Sequence, residues 1–535
     1  MAELDERNAF SQKRVNAAAV LDQAWDAEAF TAADGMAATR LTRSTVIALC
    51  DELVERGWLC ELPNARAAGE YRKGRPARRY ALRADAGAVV GVDAGQHCIT
   101  ANVADLRGRA LARTYTEIDP DGHSGSARVA AADKTIDQAL RLAGVPKEAV
   151  MCVAAGVPAP TDREGRSPEG EYEFWSRMNP GYAAHFRERG LLTEVENDAN
   201  LAALAEGALG AGVGASSYIT LMSGERFGAG YVVDGRLVRG RRGAAGELRL
   251  LSLVEGVGST FGIGALLREW ALELRASGTV DKTSPLMTTP RSRLGAEVVF
   301  RAAESGDQAA LALIDRMAER LARICAVLGG LLDVERIVFS GAVAESLDLL
   351  LPRTAARLDE LTHPPAPELV ASQLGGGVVS IGAVARALEI VRANAINLSP
   401  STVEQIIPFL YAGLGPAPQA KASHDTPKCH RHLDRDDVRY AVQGRHPGHA
   451  AALRRRRRRR APAGGRRGRD RRHSDDRRPS LGRPDRQAAR PVRERVVAPG
   501  TGRSTEPRGG HAAHGSTRIP DGDGAAQDHG RAGLI

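Results

Sequence analysis

Two acidic residues lie at positions where they could act on a ligand that carries hydroxyl groups. An apolar stretch ends near Val195, and a helical pattern begins at Asp198. An aspartate at such a junction of strand and helix could be a general base towards a hydroxyl, although an aspartate there can also merely cap the helix. Glu247 follows a glycine-rich segment and could accept hydrogen bonds from the same ligand.

Glycines surround these acids in two clusters, on either side of a predicted hairpin. The first cluster contains Gly228 and Gly230, and the second runs from Gly240 to Gly246. Glycine lets the backbone approach a ligand closely, but ordinary tight turns also use it. Upstream, an apolar strand from Ala88 ends at Asp93 and Gly95, and a second strand is expected over residues 99–105.

Three helices are predicted in the N-terminal region, over residues 12–24, 27–38 and 43–56. The third begins after Thr42, a good N-cap, and Gly57 stands where a C-terminal stop is expected. The short turn between the second and third helices gives the spacing of a helix-turn-helix. At the exposed start of the third helix, the residues that could reach phosphates and base edges are Thr42, Arg43, Ser44 and Thr45.

Two short strands, at residues 58–62 and 79–82, follow these helices and are joined by a basic connection. A β-hairpin with a basic tip beside a helix-turn-helix predicts a winged helix, whose tip could lie along the DNA backbone or enter a minor groove. The alternative is a protein-interaction module with a solvated basic loop. The residues of this connection expected to contact DNA are Arg72, Lys73, Arg75 and Arg78.

The 535 residues divide by pattern into a head (1–85), an alternating α/β region (86–398) and an arginine-rich tail (399–535). The net charge of +9 comes from the tail, because residues 401–535 hold 29 Lys+Arg and 14 Asp+Glu, whereas residues 1–400 carry a net charge of −6. The tail has little to bury and is expected to be disordered. It is either a basic arm for DNA phosphates or out-of-frame translation of a GC-rich gene, and its composition favours the second.

Composition excludes several classes of protein. A content of 43% hydrophobic and 26% charged residues excludes wholesale disorder and a fibrous protein. No run approaches the ~18 apolar residues of a membrane span, and the N-terminus lacks the apolar region of a signal peptide. The six cysteines are scattered without a C-x-x-C spacing, which favours a reducing cytoplasm.

Together these motifs resemble the ROK family (repressors, open reading frames and sugar kinases) over about residues 12–395. The motif E-N-D-A-N-x-A-A-x-x-E begins at Glu196, and G-x-x-G-x-x-G-E begins at Gly240. The resemblance implies an α/β, actin-like (ribonuclease H-like) two-lobed ATPase/sugar-kinase fold, preceded by an all-α winged helix-turn-helix domain. It also implies a sugar pocket formed by Asn179, Asn197, Asp198 and Glu247. In the family's kinases Asp198 would be the catalytic base. The phosphate-loop remnants would be Asp93, Gly95, Gly228, Gly230 and Gly341.

The sequence departs from the family's kinases in both phosphate loops. The first follows Asp93 with Ala94-Gly95-Gln96-His97 and lacks the second Gly, the Thr and the Lys of the kinase turn. The second places Glu225 and Arg226 where the kinases have Gly-Thr-Gly-x-Gly. A carboxylate there would repel the γ-phosphate, and like charge in a confined site costs several kcal/mol. The family's zinc-binding His and Cys cluster is also missing, so no metal and no cofactor are expected.

These departures favour a sequence-specific transcriptional regulator, most simply a repressor, over an enzyme. Its expected partners are a double-stranded DNA operator, a sugar effector if one exists, and a second copy in a homodimer or homotetramer, with no membrane partner. The alternative is an ATP-dependent, glucokinase-like sugar kinase that carries a DNA-binding domain. A third interpretation is a scaffold without a ligand, because the missing His contacts sugar in relatives.

Overall fold

The computed structural model describes residues 2–63, 77–119, 124–169, 173–341 and 343–400. The expected tail therefore lies outside the described residues from residue 401 onwards, as does most of the connection between the two strands of the predicted wing. Within the part of the chain that is described, no helix is both long enough and apolar enough to cross a membrane.

The N-terminal head combines a helix-turn-helix with a small antiparallel sheet in the order β1-β3-β2. The strand Arg79–Leu82 has its expected bounds. The first helix is longer than predicted, and a two-residue strand separates it from the second. The elements are α1 (Ala2–Asp26), β1 (Phe30–Thr31), α2 (Ala32–Thr39), α3 (Arg43–Glu55), β2 (Leu59–Leu62) and β3 (Arg79–Leu82).

Capping side chains determine where the helices of the head begin. Thr31 and Asp34 form a reciprocal capping box that starts α2, so the helix begins five residues later than the sequence pattern predicted. Thr42 caps α3 as expected, by accepting from the backbone N–H of Thr45 at 3.3 Å. Gly35 lets α2 approach α3, because a Cβ there would lie 2.8 Å from a methyl of Val46.

The first lobe is a five-stranded sheet in the order β6-β5-β4-β7-β8 with helices packed against it. The strands β4, β5 and β6 are antiparallel neighbours, and β7 and β8 are added in parallel. The elements are β4 (Ala88–Ala94), β5 (Cys98–Asp105), β6 (Ala110–Glu117), α4 (Gly125–Ala143), β7 (Val150–Val157), α5 (Glu173–Met178), α6 (Tyr182–Arg187), β8 (Leu192–Asn197) and α7 (Asp198–Leu209).

The second lobe repeats this topology, with its sheet in the order β11-β10-β9-β12-β13. A hairpin meander is again extended by two parallel strands. The elements are β9 (Tyr218–Ser223), β10 (Phe227–Val233), β11 (Arg236–Leu237), α8 (Ile263–Ala276), α9 (Pro285–Thr288), α10 (Ala296–Glu304), α11 (Gln308–Leu332), β12 (Arg336–Ser340), α12 (Leu350–Leu361), β13 (Glu368–Ala371) and α13 (Val378–Asn394). The repeat confirms the expected two-lobed actin-like fold.

Helix α13 packs against both the first lobe and the head. It is buried along most of its length and packs against α7, β4 and β7. Its last turn belongs to the same apolar core as Trp25 and Trp58 of the head. Arg392 of this turn pairs with Asp26 of α1 at 2.7 Å and also with Asp22. The head is therefore held to the rest of the chain by apolar packing and by ion pairs.

Candidate functional site

Three carboxyl groups converge where the two lobes meet. Asp93 is the second-last residue of β4, Asp198 begins α7, and Glu247 follows the second glycine cluster. Burial, then the charge of Asp93 and more weakly that of Glu247, raise the pKa of Asp198 to about 8. Burial also raises the pKa of Asp93 to about 6, against the opposing charges of Arg113 and Arg128. Such a cluster suits a ligand that donates hydrogen bonds and disfavours an anion.

Asp198 does not cap α7, although its position in the sequence would suit an N-cap. The N-cap of α7 is Asn197, whose side-chain oxygen accepts from the backbone N–H of Asn200 at 3.2 Å and whose amide donates to the carbonyl of Ala159 at 3.3 Å. Asp198 is the first residue of the helix, and its Oδ1 accepts from the N–H of Ala199 at 2.8 Å. Asn197 is thus committed to the backbone, whereas Asp198 keeps an oxygen for a ligand.

Glu196, the first residue of the E-N-D-A-N motif, organises this turn, although it was not among the predicted site residues. Its side chain is almost fully buried. Its Oε1 accepts from the N–H of Asn197 and from Nδ2 of Asn200, each at 2.9 Å, and its Oε2 pairs with Arg239. Because Arg239 follows β11 of the second lobe, this ion pair fixes the turn against both lobes. The signal in the sequence is a charged residue at a buried strand position, which needs a partner.

A second glutamate extends this network from the turn to α13. Glu194 lies two residues before Glu196 on β8, 3.7 Å from the guanidinium of Arg239. It also accepts two hydrogen bonds from Arg386 of α13, at 2.7 and 2.9 Å. The acid-bearing turn is therefore linked by alternating charges to the helix that holds the head.

Asn179 follows α5 in the first lobe. Its Nδ2 donates to the carbonyl of Gly165 and to the hydroxyl of Ser167, each at 3.0 Å. Its Oδ1 is buried and has no hydrogen-bond partner among the described residues. An unpartnered buried acceptor is the feature expected of a residue that receives a ligand hydroxyl.

The turn after Asp93, where the first phosphate loop was expected, is held from behind by an arginine. Arg128 of α4 is fully buried and donates to the carbonyls of Ala94 at 3.0 Å, Gly95 at 2.6 Å and Gln96 at 3.4 Å. Both terminal nitrogens of its guanidinium therefore donate to the loop itself.

The second expected phosphate loop directs a carboxylate towards the first expected phosphate loop. Glu225, between β9 and β10, has its Oε1 3.9 Å from Nε2 of His97, which follows β4. Arg226 stacks 5.1 Å from the ring centre of Phe261 and donates to Thr260 at 3.4 Å. Glu225 therefore occupies the space between the two loops, where a phosphate would have to be held.

The glycines of the expected phosphate loops have packing roles. Gly230 faces α7, where a Cβ would lie 2.7 Å from that of Ala203, and Gly228 faces Ala199 at 3.3 Å. Gly341 has a φ of +98° at the turn after β12, close to the backbone of Ser223. Gly95 lies in the turn held by Arg128. These contacts account for the glycines without a bound phosphate.

The loop where the family's zinc would be held does not suit that metal. Arg320 of α11 is 2% exposed and donates to the carbonyls of Val257 at 2.9 Å, Phe261 at 3.2 Å and Ser259. Neither cysteine nor histidine occurs in this loop. Across the described ranges, no three His, Cys, Asp or Glu side chains are grouped so that they could hold a metal ion. A guanidinium holds the carbonyls of this loop.

In the head, the hydroxyls at the start of α3 form one cluster. The Oγ1 of Thr42 lies 3.1 Å from the hydroxyl of Ser44 and 2.8 Å from that of Thr45. Thr42, Arg43 and Ser44 are exposed and Thr45 is half-buried. This exposed first turn is the surface that the helix-turn-helix prediction requires.

The remaining residues expected to contact DNA fall into two groups. Arg72, Lys73 and Arg75 lie outside the described residues. Arg78 is described, and its Nη2 lies 2.7 Å from carboxylate oxygens of both Asp51 on α3 and Glu61 on β2.

Arg40 is a surface cation of the head that sequence reasoning passed over. It is the C-cap of α2, with a φ of 60° and a ψ of 18°, and it is exposed two residues before the N-cap of α3. Residues other than glycine seldom adopt this left-handed conformation, which carries a local energetic cost. An arginine in a strained helix-turn-helix turn is therefore a candidate contact residue.

Comparison with known proteins finds that the chain is similar to both kinases and transcriptional regulators. The ROK family model matches residues 89–389. A glucokinase of Halalkalibacterium halodurans is 33% identical over 29% of this chain and 51% of its own length. The DNA-binding transcriptional dual regulator NagC of Escherichia coli is 24% identical over 59% of this chain and 77% of its own length. The chain spans about two fifths to one half of the length of the first curated relatives that it matches.

A solved structure shares the fold over a larger part of the chain. It is the crystal structure of a ROK family transcriptional regulator described as a homologue of the E. coli MLC protein. It is 20% identical, with a TM-score of 0.59, and the match covers 72% of this chain and 98% of that one. This coverage exceeds the segment matched by the family model.

Proposed function

The chain belongs to the ROK family, and we propose that it is a sequence-specific DNA-binding transcriptional regulator, a repressor that responds to a sugar or sugar derivative. The observation that carries the proposal is the exposed first turn of α3, with Arg43 and Ser44 at its surface, on a head packed against the family fold. A helix presented in this way by a helix-turn-helix can enter a major groove.

Recognition of DNA is assigned to the start of α3 and to the basic connection after β2. Arg43 can donate two hydrogen bonds to a guanine edge, and the hydroxyls of Ser44 and Thr45 can reach phosphates or bases. We assign Arg72, Lys73 and Arg75 to the sugar-phosphate backbone. In a two-fold homodimer these heads would bind an inverted repeat, with half-sites about 10 base pairs apart or a multiple of that distance.

The cleft between the lobes is proposed as the effector site. Asp198 offers a free carboxylate oxygen, Glu247 is exposed towards solvent, and Asn179 has an unpartnered acceptor. These groups suit ligand hydroxyls, whereas Glu225 opposes a triphosphate. The effector class supported by this arrangement is an unphosphorylated polyol or sugar.

Effector binding can reach the head through α13. This helix packs on α7, which carries Asp198, and on β4, which carries Asp93, and its last turn is fixed to α1 through Arg392. A ligand that closes the lobes would move α13 and change the separation of two heads in a dimer. It can shift DNA affinity only by its differential affinity for the two arrangements.

The second candidate function is ATP-dependent sugar phosphorylation. It is favoured by Asp198, because a pKa of about 8 is near the value that a general base needs at neutral pH. A coupled assay with ATP and a panel of hexoses tests it. Turnover that Asp198→Asn abolishes would support the kinase, and its absence would leave the cleft as a binding site.

Two arginine variants test the DNA-binding proposal. Arg43→Ala should weaken binding mainly at a cognate operator, because it removes a base contact. Arg75→Ala should weaken binding to all DNA and reduce the slope of log K against log salt by about 0.9, since one phosphate contact is lost. Equal losses on operator and random DNA for Arg43→Ala would contradict α3 as the reading helix.

A further inference from the structure

The charges along α3 run opposite to the order that favours a helix. Arg43 is its first residue, while Asp51, Glu52 and Glu55 lie in its last five positions. The helix macrodipole favours acids at the N-terminus and bases at the C-terminus, by about 0.3–1 kcal/mol each. Helix stability therefore does not explain this arrangement. A helix whose surface charges oppose its own dipole is expected where that surface has a function.

The acids lie on the face of α3 that points away from the core. The inward face consists of Val46, Leu49, Cys50 and Leu53, all buried. From Ser44 onwards, the exposed positions of α3 recur every three or four residues, which places them on one helical face. They are Ser44, Ala48, Asp51 and Glu55. A duplex laid along the whole of this face would meet two carboxylates.

Arg78 neutralises the first of these carboxylates. Its Nη2 lies 2.7 Å from Oδ1 of Asp51 and 2.7 Å from Oε2 of Glu61, and its guanidinium carbon lies 5.2 Å from the ring centre of Tyr80. Glu61 is the cross-strand partner of Tyr80 in the β2–β3 ladder. Two carboxylates and an aromatic face thus orient the cation towards the protein. Lys13 of α1 pairs in the same way with Glu52, at 2.8 Å.

We propose that Arg78 is a positioning residue that shields the acidic half of α3 from DNA, and that α3 meets the major groove only through its first turn. The proposal rests on the DNA-binding function proposed above and assigns the geometry of that contact. The group of Arg78, Asp51 and Glu61 carries a net charge of −1. Loss of Arg78 would make it −2, next to a polyanion.

The experiment measures the binding of full-length variants to a fluorescein-labelled, mixed-sequence duplex of about 20 base pairs, in about 50 mM salt, where the electrostatic contribution is large. Arg78→Gln should weaken binding about two- to fivefold, the range expected for one exposed charge. Asp51→Asn should strengthen it by a similar factor. The triple variant Arg78→Gln/Asp51→Asn/Glu61→Gln is neutral at this group and should bind at least as tightly as the wild type.

The triple variant separates a shield from a direct contact. If Arg78 bound a phosphate, its removal would weaken binding even without the two acids, and a triple variant weaker than the wild type would overturn the proposal. Asp51→Asn alone gives a second test, because an unchanged or weaker affinity would place Asp51 away from DNA. A wild type that fails to bind any duplex would instead overturn the DNA-binding function itself.

Arg353→Gln is the matched control. Arg353 pairs with Asp315 at 3.1 Å on the surface of the second lobe, and its side chain is about as exposed as that of Arg78. The variant changes the net charge of the protein by the same amount as Arg78→Gln and should leave DNA affinity unchanged within twofold. Fluorescence of the packed Trp25–Trp58 pair reports whether the head of each variant is folded.

Discussion

Glu225 reaches across the cleft between the lobes to within 3.9 Å of His97, so that an acid and an imidazole occupy the gap between the two loops that would hold a nucleotide. Both side chains are more than half exposed, so this contact adds little to stability. The contact instead affects ligand binding, because the carboxylate of Glu225 gives the gap a negative charge.

The first prediction concerns nucleotide binding. Replacing Glu225→Thr and Arg226→Gly together restores a small, uncharged loop and should raise the affinity for MgATP by at least about tenfold, since several kcal/mol of like-charge repulsion is removed. Titration calorimetry measures the change. Glu225→Gln keeps the bulk and removes only the charge, so it separates electrostatic from steric obstruction. Tight MgATP binding by the wild type would contradict this account of the loop.

The second prediction concerns the pH dependence of stability. The pKa of Asp198 is raised from 3.8 to about 8 in the folded protein, so the folded state holds this proton more tightly than the unfolded state. Stability should therefore fall as pH rises from about 4 to 8. Asp198→Asn keeps an acceptor for the N–H of Ala199 and should be more stable than the wild type by about 1–2 kcal/mol at pH 8. This is less than the free energy that corresponds to the whole pKa shift, because the carboxyl group is partly solvated.

Urea unfolding at several pH values measures this effect. The advantage of Asp198→Asn should vanish towards pH 4, where the aspartate is protonated in both states. An advantage that is independent of pH would mean that packing rather than charge burial is responsible.

The third prediction concerns Arg40 in the turn of the helix-turn-helix. Arg40→Gly should raise the free energy of unfolding by about 0.5–1 kcal/mol, because glycine adopts a φ of 60° without strain. The same variant should weaken DNA binding several-fold through loss of a surface cation. Arg40→Asn, which tolerates the left-handed conformation, should show the same loss of binding. Unchanged binding by both would remove Arg40 from the interface.

The fourth prediction concerns the loop held by Arg320. Arg320→Met leaves the carbonyls of Val257, Ser259 and Phe261 without this donor and should destabilise the protein by about 2–4 kcal/mol. Arg301→Gln, on the surface of α10, removes an exposed pair with Glu297 and should cost less than about 1 kcal/mol.

Thermal unfolding of these variants, with and without a chelator, measures both effects. The melting temperature of the wild type should not respond to the chelator, because a guanidinium holds the loop. A fall in that temperature, with zinc released, would contradict this assignment.

Local signals in the sequence were sufficient for the start of α3 and for the strand Arg79–Leu82. The side chain of Thr42 begins the helix, and the backbone freedom of Gly57 allows it to end. These roles do not depend on the rest of the fold.

The pairing of charges could not be predicted, because the partners are brought together only by the fold. Glu196 meets Arg239 across 43 residues, and Arg392 meets Asp26 across 366. By propensity, Gly35 costs α2 about 1 kcal/mol relative to alanine, but its absent side chain makes room for Val46. In each case tertiary packing, which a linear pattern does not contain, decides the role of the residue.

The most direct test of the proposed function is selection of DNA by the purified full-length protein from a library of random duplexes. The account predicts enrichment of an inverted repeat, with half-sites about 10 base pairs apart or a multiple of that distance, and loss of this enrichment in Arg43→Ala. Recovery of no sequence above the starting pool, by a protein that is folded, would contradict it.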